Sequence, residues 1–233
     1  MKIAVISDIH GNLEALNAVL AGINALGIRT IYCLGDIVGY GPNPNECAEL
    51  IRSRKIPCVV GNHDKAVTGE FAMDYFNRMA KEGVLWTQSV ITAENKAYLA
   101  HLPLSMEGYN SLFVHSSPDY PEEFRYLLSW EDAHESFDHC SQSLCFIGHT
   151  HHPVIFCEDG RTIELSPDKK FIVNVGSVGQ PRDGNWKACF VVYDTERYTV
   201  EFMRVEYDVE SVQKKILQAG LPQKFGDRLL VGV

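Results

Sequence analysis

Aspartate, histidine and asparagine side chains recur in five short motifs of this chain, and each motif follows an apolar run that reads as a β-strand. The motifs are Asp8-Ile9-His10, Gly35-Asp36, Gly61-Asn62-His63-Asp64, His115 in Val114-His115-Ser116, and Gly148-His149-Thr150-His151. Carboxylate, amide and imidazole groups at the ends of several strands can converge on one point, which is how a buried site for two divalent cations is built. Asp8 and His10 are two apart, so on an extended chain both project to one side; His149 and His151 repeat that spacing. Asp36 offers a carboxylate able to bridge two cations, and Asn62 a neutral carbonyl oxygen. Taken singly, each motif has a plainer explanation. A DxH or HxH pair is commonly a surface loop, Asn62 a turn residue, and His115 a hydrogen-bonded structural histidine. Their conjunction, each directly after an apolar strand, favours the metal reading.

The elements that must position these residues alternate between strand and helix. Ile3 to Ile6 is a continuous apolar run, as expected of a strand buried on both faces. Asn12 is placed to cap a helix with Leu13, Leu16, Val19, Leu20 and Ile23 on its apolar face, stopped at Gly27. Ile31 to Leu34 reads as a second strand. Asn43 is then expected to cap a helix with Pro44 at its first position and Glu46 completing a capping box. Cys58 to Val60 is expected as a third strand. Residues 65 to 101 contain Phe71, Tyr75, Met79, Val84, Trp86 and Tyr98 among helix formers, and predict an insert of two or three short helices, the last capped by Thr92. Strands follow at Leu112 to Val114, Leu144 to Ile147 and Phe171 to Val175. A hairpin of Ala188 to Tyr193 with Thr199 to Val205 and a helix from Val209 to Ala219 make a C-terminal unit at about 186–219. The order predicts one α/β domain over 1–233: two sheets packed face to face as a β-sandwich flanked by helices, with the helical insert at about 65–101.

Composition narrows the partners. The chain has 233 residues, 45% of them hydrophobic, enough for one substantial core. Its net charge of −9 and lack of long basic runs argue against binding a nucleic acid backbone. Seven cysteines without a CxxC spacing read as buried reduced thiols. Met1-Lys2 runs straight into the first strand and no apolar stretch is long enough to cross a bilayer, so a cytoplasmic protein without a membrane partner is expected. The apolar Leu229-Leu230-Val231 is left open between packing on its own domain and on a second subunit.

The ordered series DxH, GD, GNHD, H and GHTH, spanning roughly residues 1 to 177, resembles the calcineurin-like metallophosphoesterase superfamily, in particular its small single-domain bacterial and archaeal members. The resemblance implies an α/β/β/α sandwich and a phosphoesterase, either phosphodiesterase or phosphatase, holding two divalent metal ions, Mn, Fe or Zn. It implies that one metal takes Asp8, His10 and His151, the other Asn62, His115 and His149, with Asp36 bridging. A metal-bridging hydroxide would attack the phosphorus of a small phosphorylated substrate, a nucleotide being one such. His63 would be the general acid, and Asp64 would fix its orientation or cap the helix that follows. The protein phosphatases of the superfamily carry an Asp-Arg-Gly after the GD motif. Here Ile37, Val38 and Gly39 follow Asp36, which argues against that subgroup. Without that arginine, Arg182 in the Gly-rich stretch 176–182 is the alternative phosphate ligand, unless it is a solvated charge. Asn12 and Tyr40 could line the mouth, or serve as a cap and a loop anchor. A catalytically weak scaffold on the same fold is the rival reading; His63 and the complete ligand set speak against it.

Overall fold

Alternation along the apolar strands decides the layering. The strands are β1 (Lys2–Ile6), β2 (Thr30–Cys33), β3 (Ser105–Gly108), β4 (Ser111–Val114), β5 (Leu144–Ile147), β6 (Val154–Cys157), β7 (Phe171–Asn174), β8 (Ala188–Asp194) and β9 (Thr199–Val205). The computed structural model describes residues 1–233 except the side chain of Tyr75; the packing expected of that aromatic lies outside the described residues. One sheet has the order β2-β1-β8-β9 and the other β3-β4-β5-β7-β6. β1 and β2 are parallel, as are β4, β5 and β7, while β8 joins β1 antiparallel.

Ile3 and Val5 of β1 meet Phe113, Leu144, Phe146, Val173 and Val191 in the core between the sheets. Ala4 and Ile6 point the other way, into a core shared with the helices. Those helices include α1 (Leu13–Ala25), α2 (Pro44–Ser53), α3 (Asn62–Thr68), α4 (Arg78–Val90) and α5 (Ala93–Ala100). On the outer face of the second sheet, Val114, Cys145, Ile147 and Ile172 pack with Ala133 of the short α6 (Trp130–His134) and with Phe137. The layers are therefore helix, sheet, sheet, helix, each strand feeding two cores through its period of two. α7 (Val209–Gln218) and α8 (Gln223–Val231) close the helical face beside α1.

Several local expectations are corrected. Residues 58–60 form no strand: Cys58 makes a single parallel bridge to Cys33, because Pro57 has no N–H to donate and the Val60 N–H goes to Pro103 O at 2.8 Å. Asn43 makes no side-chain cap; its amide donates instead to Glu46 Oε1 at 3.0 Å. The short strands β3 and β6 and the helix α8 went unread in the sequence. β3 and β4 form a hairpin turned at Tyr109 and Asn110, both with positive φ (52° and 55°), the backbone of a type I′ turn. Of the insert, Trp86 is half-buried against the core and donates to Ala219 O at 3.0 Å. All seven cysteines are buried and unpaired. Leu229 packs inward, while Leu230 and Val231 stay exposed. Among the described residues no helix is long and apolar enough to cross a membrane.

Candidate metal centre

The parallel strands of both sheets end at one edge, and the loops leaving them are knitted together by backbone hydrogen bonds. Asp8 N–H donates to Gly35 O (3.0 Å), His10 N–H to Asp36 O (2.9 Å), Gly148 N–H to His115 O (2.8 Å) and Gly179 N–H to Asp8 O (2.9 Å). This ladder brings residues from far-apart motifs within reach of one another. The expectation that Asp8/His10 and His149/His151 share a side by strand pleating is corrected. Asp8, His10, Asp36, His149 and His151 all have φ between 49° and 67°, in the left-handed region. Non-glycine residues hold that conformation only where the surroundings over-determine it, which is characteristic of functional sites. Consecutive left-handed turns, not an extended chain, aim these side chains.

Two adjoining clusters result. Asp8, His10 and His151 form one; Asp36, His115 and His149 form the other, and Asp36 also groups with His10 and His63. His151 Nε2 is 3.2 Å from Asp8 Oδ1, and His10 Nε2 is 3.7 Å from Asp36 Oδ2. His115 Nε2 is 3.4 Å from Asp36 Oδ2 and 3.2 Å from Asn62 Oδ1. All seven proposed ligands are buried. His149 is reached through its own backbone, which donates to Asp8 Oδ2 at 3.0 Å.

The tautomers test whether cations fit. Nδ1 of His10 donates to Val38 O (3.1 Å), that of His115 to Leu34 O (2.7 Å), and that of His151 to Gln180 O (2.5 Å). A carbonyl only accepts, so each neutral ring is left with a bare lone pair on Nε2. His10 and His151 then face each other Nε2 to Nε2 at 3.1 Å, and His149 Nε2 is buried without a hydrogen-bond partner among the described residues. Converging lone pairs repel unless a cation or proton stands among them, so the donor set suits divalent metal.

The electrostatics of the metal-free site agree. Burial pushes the pKa of His149 down to about 3 and that of His63 to about 4, with Asp36 partly opposing both. Burial also lowers His10 and His151. At His115 burial works the same way, but Asp36 overcomes it and raises the imidazole to about 9, so a proton there takes the place of positive charge. Asp36 is held well below the carboxylate range by His115 against the cost of burial.

His63 and its supports sit beside the clusters. The His63 N–H donates to Asp36 Oδ1 at 2.8 Å, while ring Nδ1 is buried and unpartnered. Asp64 does not orient that ring as expected. Its two oxygens accept from Gly61 N–H (3.1 Å) and Val38 N–H (3.2 Å), so it caps the helix and ties the loops on either side of His63. Burial, reinforced by Asp36, raises its pKa to about 7. Tyr40 is nearly buried and packs between His10 and His63, with ring centroids 5.0 and 4.7 Å away. Asn12 does not reach the cleft: its Oδ1 caps α1 through Ala15 N–H (3.1 Å) and its amide donates to Gly179 O (2.9 Å). His101, His134, His139 and His152 are exposed.

A cleft of about 480 Å³ opens over the clusters. Asp36, Asn62, His63, His149 and His151 line it together with Arg182, Tyr40 and Phe71 of the insert. Phe76, Phe124, Tyr126 and Arg228 also line it and were not singled out from the sequence. Tyr126 stacks on His149 with centroids 4.1 Å apart, and Phe124, at φ 52°, packs over His115. No motif surrounds these four; only the left-handed backbone of Phe124 marks the segment as special.

A four-layer sandwich carrying adjoining buried imidazole–carboxylate clusters is the architecture of a metallophosphoesterase. The family model of the calcineurin-like phosphoesterase superfamily domain matches residues 1–198. A metallophosphoesterase of Sphaerobacter thermophilus superposes with a TM-score of 0.87 at 39% identity, covering 100% of this chain and 99% of that one. A hypothetical protein of Pyrococcus horikoshii shares the fold at a TM-score of 0.85 and 24% identity, covering 100% and 98%. An uncharacterised protein of Methanocaldococcus jannaschii is 47% identical over 240 residues, covering 99% of this chain and 98% of its own. The chain belongs to the calcineurin-like phosphoesterase superfamily.

Proposed function

We propose that the protein hydrolyses a small phosphodiester or phosphomonoester with two divalent cations, Mn, Fe or Zn, the set that mixed nitrogen and oxygen ligation without thiolate favours. Asp8, His10 and His151 would hold one cation and Asn62, His115 and His149 the other, with Asp36 shared. The observation that carries this reading is the set of three imidazoles locked by backbone carbonyls with Nε2 turned onto the two aspartates. When bound, the cations supply Lewis acidity toward the phosphoryl oxygens and an acidified water as nucleophile at neutral pH.

The remaining steps fall to the chain's own groups. His63, lining the cleft and fixed through its N–H on Asp36, protonates the leaving oxygen. Burial makes its proton weakly held in the free protein, and an anionic ester beside it restores the imidazolium. Asp64 is a positioning residue, holding the loops that carry His63 and Gly39 together. Arg182, half-buried at the wall, neutralises phosphoryl charge: its Nη2 donates to Gln180 Oε1 at 2.8 Å and its Nε has no protein partner among the described residues. Tyr40 backs the His63 ring.

The test is hydrolysis of p-nitrophenyl phosphate and bis(p-nitrophenyl) phosphate by metal-stripped protein with Mn²⁺ restored, for the wild type and His63→Ala. Metal-dependent turnover of at least one ester is expected, with a loss below about tenfold in the variant, because nitrophenolate departs with little help from an acid. Bound metal without turnover of either ester would overturn the enzyme reading and favour a scaffold.

A further inference from the structure

The cleft holds more positive charge than the scissile group requires. Beside Arg182 it carries a second guanidinium, Arg228, delivered by α8 from the far end of the chain. Arg228 is half-buried, its Cζ 5.9 Å from the centroid of the Tyr40 ring. Tyr40 in turn packs on His63, so one aromatic ring separates Arg228 from the general acid. Among the described residues neither guanidinium forms an ion pair with an Asp or Glu side chain. Glu123, the exposed carboxylate on the cleft's rim, is taken by Arg125 Nε at 2.7 Å. Arg228 Nε is anchored by the backbone oxygen of Val233, and its Nη groups make no hydrogen bond among the described residues. Burial, and then the like charge of Arg182, depress the pKa of Arg228.

We propose that Arg228 seats a second anionic group of the substrate, a phosphate other than the scissile one, one ring's width beyond His63. The inference rests on the phosphoesterase reading and narrows it: the preferred substrate carries two phosphates. Phe71, Phe76 and Phe124, which line the same cleft, provide an apolar surface for the organic part between or beside them. A phosphate in a guanidinium fork gains charge-assisted hydrogen bonds that a neutral group cannot make.

The experiment measures competitive inhibition of whichever nitrophenyl ester the Mn²⁺-loaded enzyme hydrolyses. The inhibitors are thymidine 5′-monophosphate, thymidine 5′-diphosphate and thymidine 3′,5′-bisphosphate, and the proteins are the wild type, Arg228→Gln and Arg228→Lys. At least one two-phosphate compound should bind wild type about tenfold or more tighter than the monophosphate. That ratio of inhibition constants should fall to within about threefold in Arg228→Gln and be partly retained in Arg228→Lys. Thermal melting of each variant checks folding, and Arg228→Lys supplies the ratio if Arg228→Gln does not fold. Equal binding of one and two phosphates by wild type, or an unchanged ratio in Arg228→Gln, would overturn the inference while leaving the phosphoesterase reading intact. No ester turnover with metal bound would overturn both.

Discussion

Gly39→Ala isolates the part played by His63 without touching a metal ligand. Gly39 has φ +93°, and a Cβ built there would stand 2.6 Å from His63 Nδ1, 3.1 Å from Cγ and 3.3 Å from Cβ. Ordinary contact begins near 3.4 Å, so the ring must retreat by ~0.8 Å, and a shift of that size at a reacting group costs about 10²-fold in rate. The left-handed backbone adds ~1–2 kcal/mol of strain, which lowers stability but not the chemistry. The assay compares kcat/KM for an ester with a p-nitrophenolate leaving group and one with an alkyl alkoxide, alongside metal content. Nitrophenolate departs with little help from an acid, whereas an alkoxide needs its proton. The alkyl ester should lose about 10²-fold and the aryl ester less than about tenfold, with two metals still bound. In a His63→Asn background the substitution should add little, since the acid it displaces is already gone. Equal losses on both esters, or a full additional loss in the double variant, would refute His63 as the general acid.

Asp36→Asn removes the carboxylate that groups with His115 and His149 and with His10 and His63, and should lower metal retention after dialysis and activity by roughly 10²-fold or more, read by elemental analysis and ester hydrolysis. Chelation of the metals should lower the melting temperature by several degrees, because the ligands bind cations only when folded, and Mn²⁺ should restore it. The metal-free protein should lose stability on acidification. His63 and His149 have folded values of about 4 and about 3, below the 6.5 of an unperturbed histidine, so their contribution is intact above pH 6.5 and is lost as pH falls toward those values. Asp64, raised to about 7, shifts stability the opposite way, and His115, raised to about 9, is charged in both states below pH 6.5. With His10 and His151 also depressed, the histidines prevail, and denaturant melts at pH 6.5 and 4 should differ by a few kcal/mol. Unchanged melts across that window would contradict neutral buried imidazoles.

The five motifs were legible because each metal-capable residue sits directly after an apolar run, and the backbone order of strands is written in local hydrophobicity. The layered sandwich followed from the same runs. Misreadings arose where a neighbour distant in sequence competes for a local group. Asp64 looked like a partner for His63, yet its oxygens are claimed by two backbone N–H groups, one from Val38. Asn12 was open between the cleft mouth and a helix cap; Ala15 N–H takes its Oδ1 and Gly179 O its amide, so the cap is the role it plays. Residues 58–60 have strand composition, but Pro57 and Pro103 interrupt the ladder.

By itself the chain specified its metal-capable residue types, their order and the strands that carry them, since those are local properties of residue type and spacing. Tertiary structure alone decided how these side chains meet. The left-handed turns at Asp8, His10, Asp36, His149 and His151 are tolerable only because cross-loop hydrogen bonds hold them, and no single segment contains that information. The placement of Arg228 beside Tyr40 is of the same kind. It depends on α8 docking against a wall built almost two hundred residues earlier, a packing event that local periodicity cannot encode.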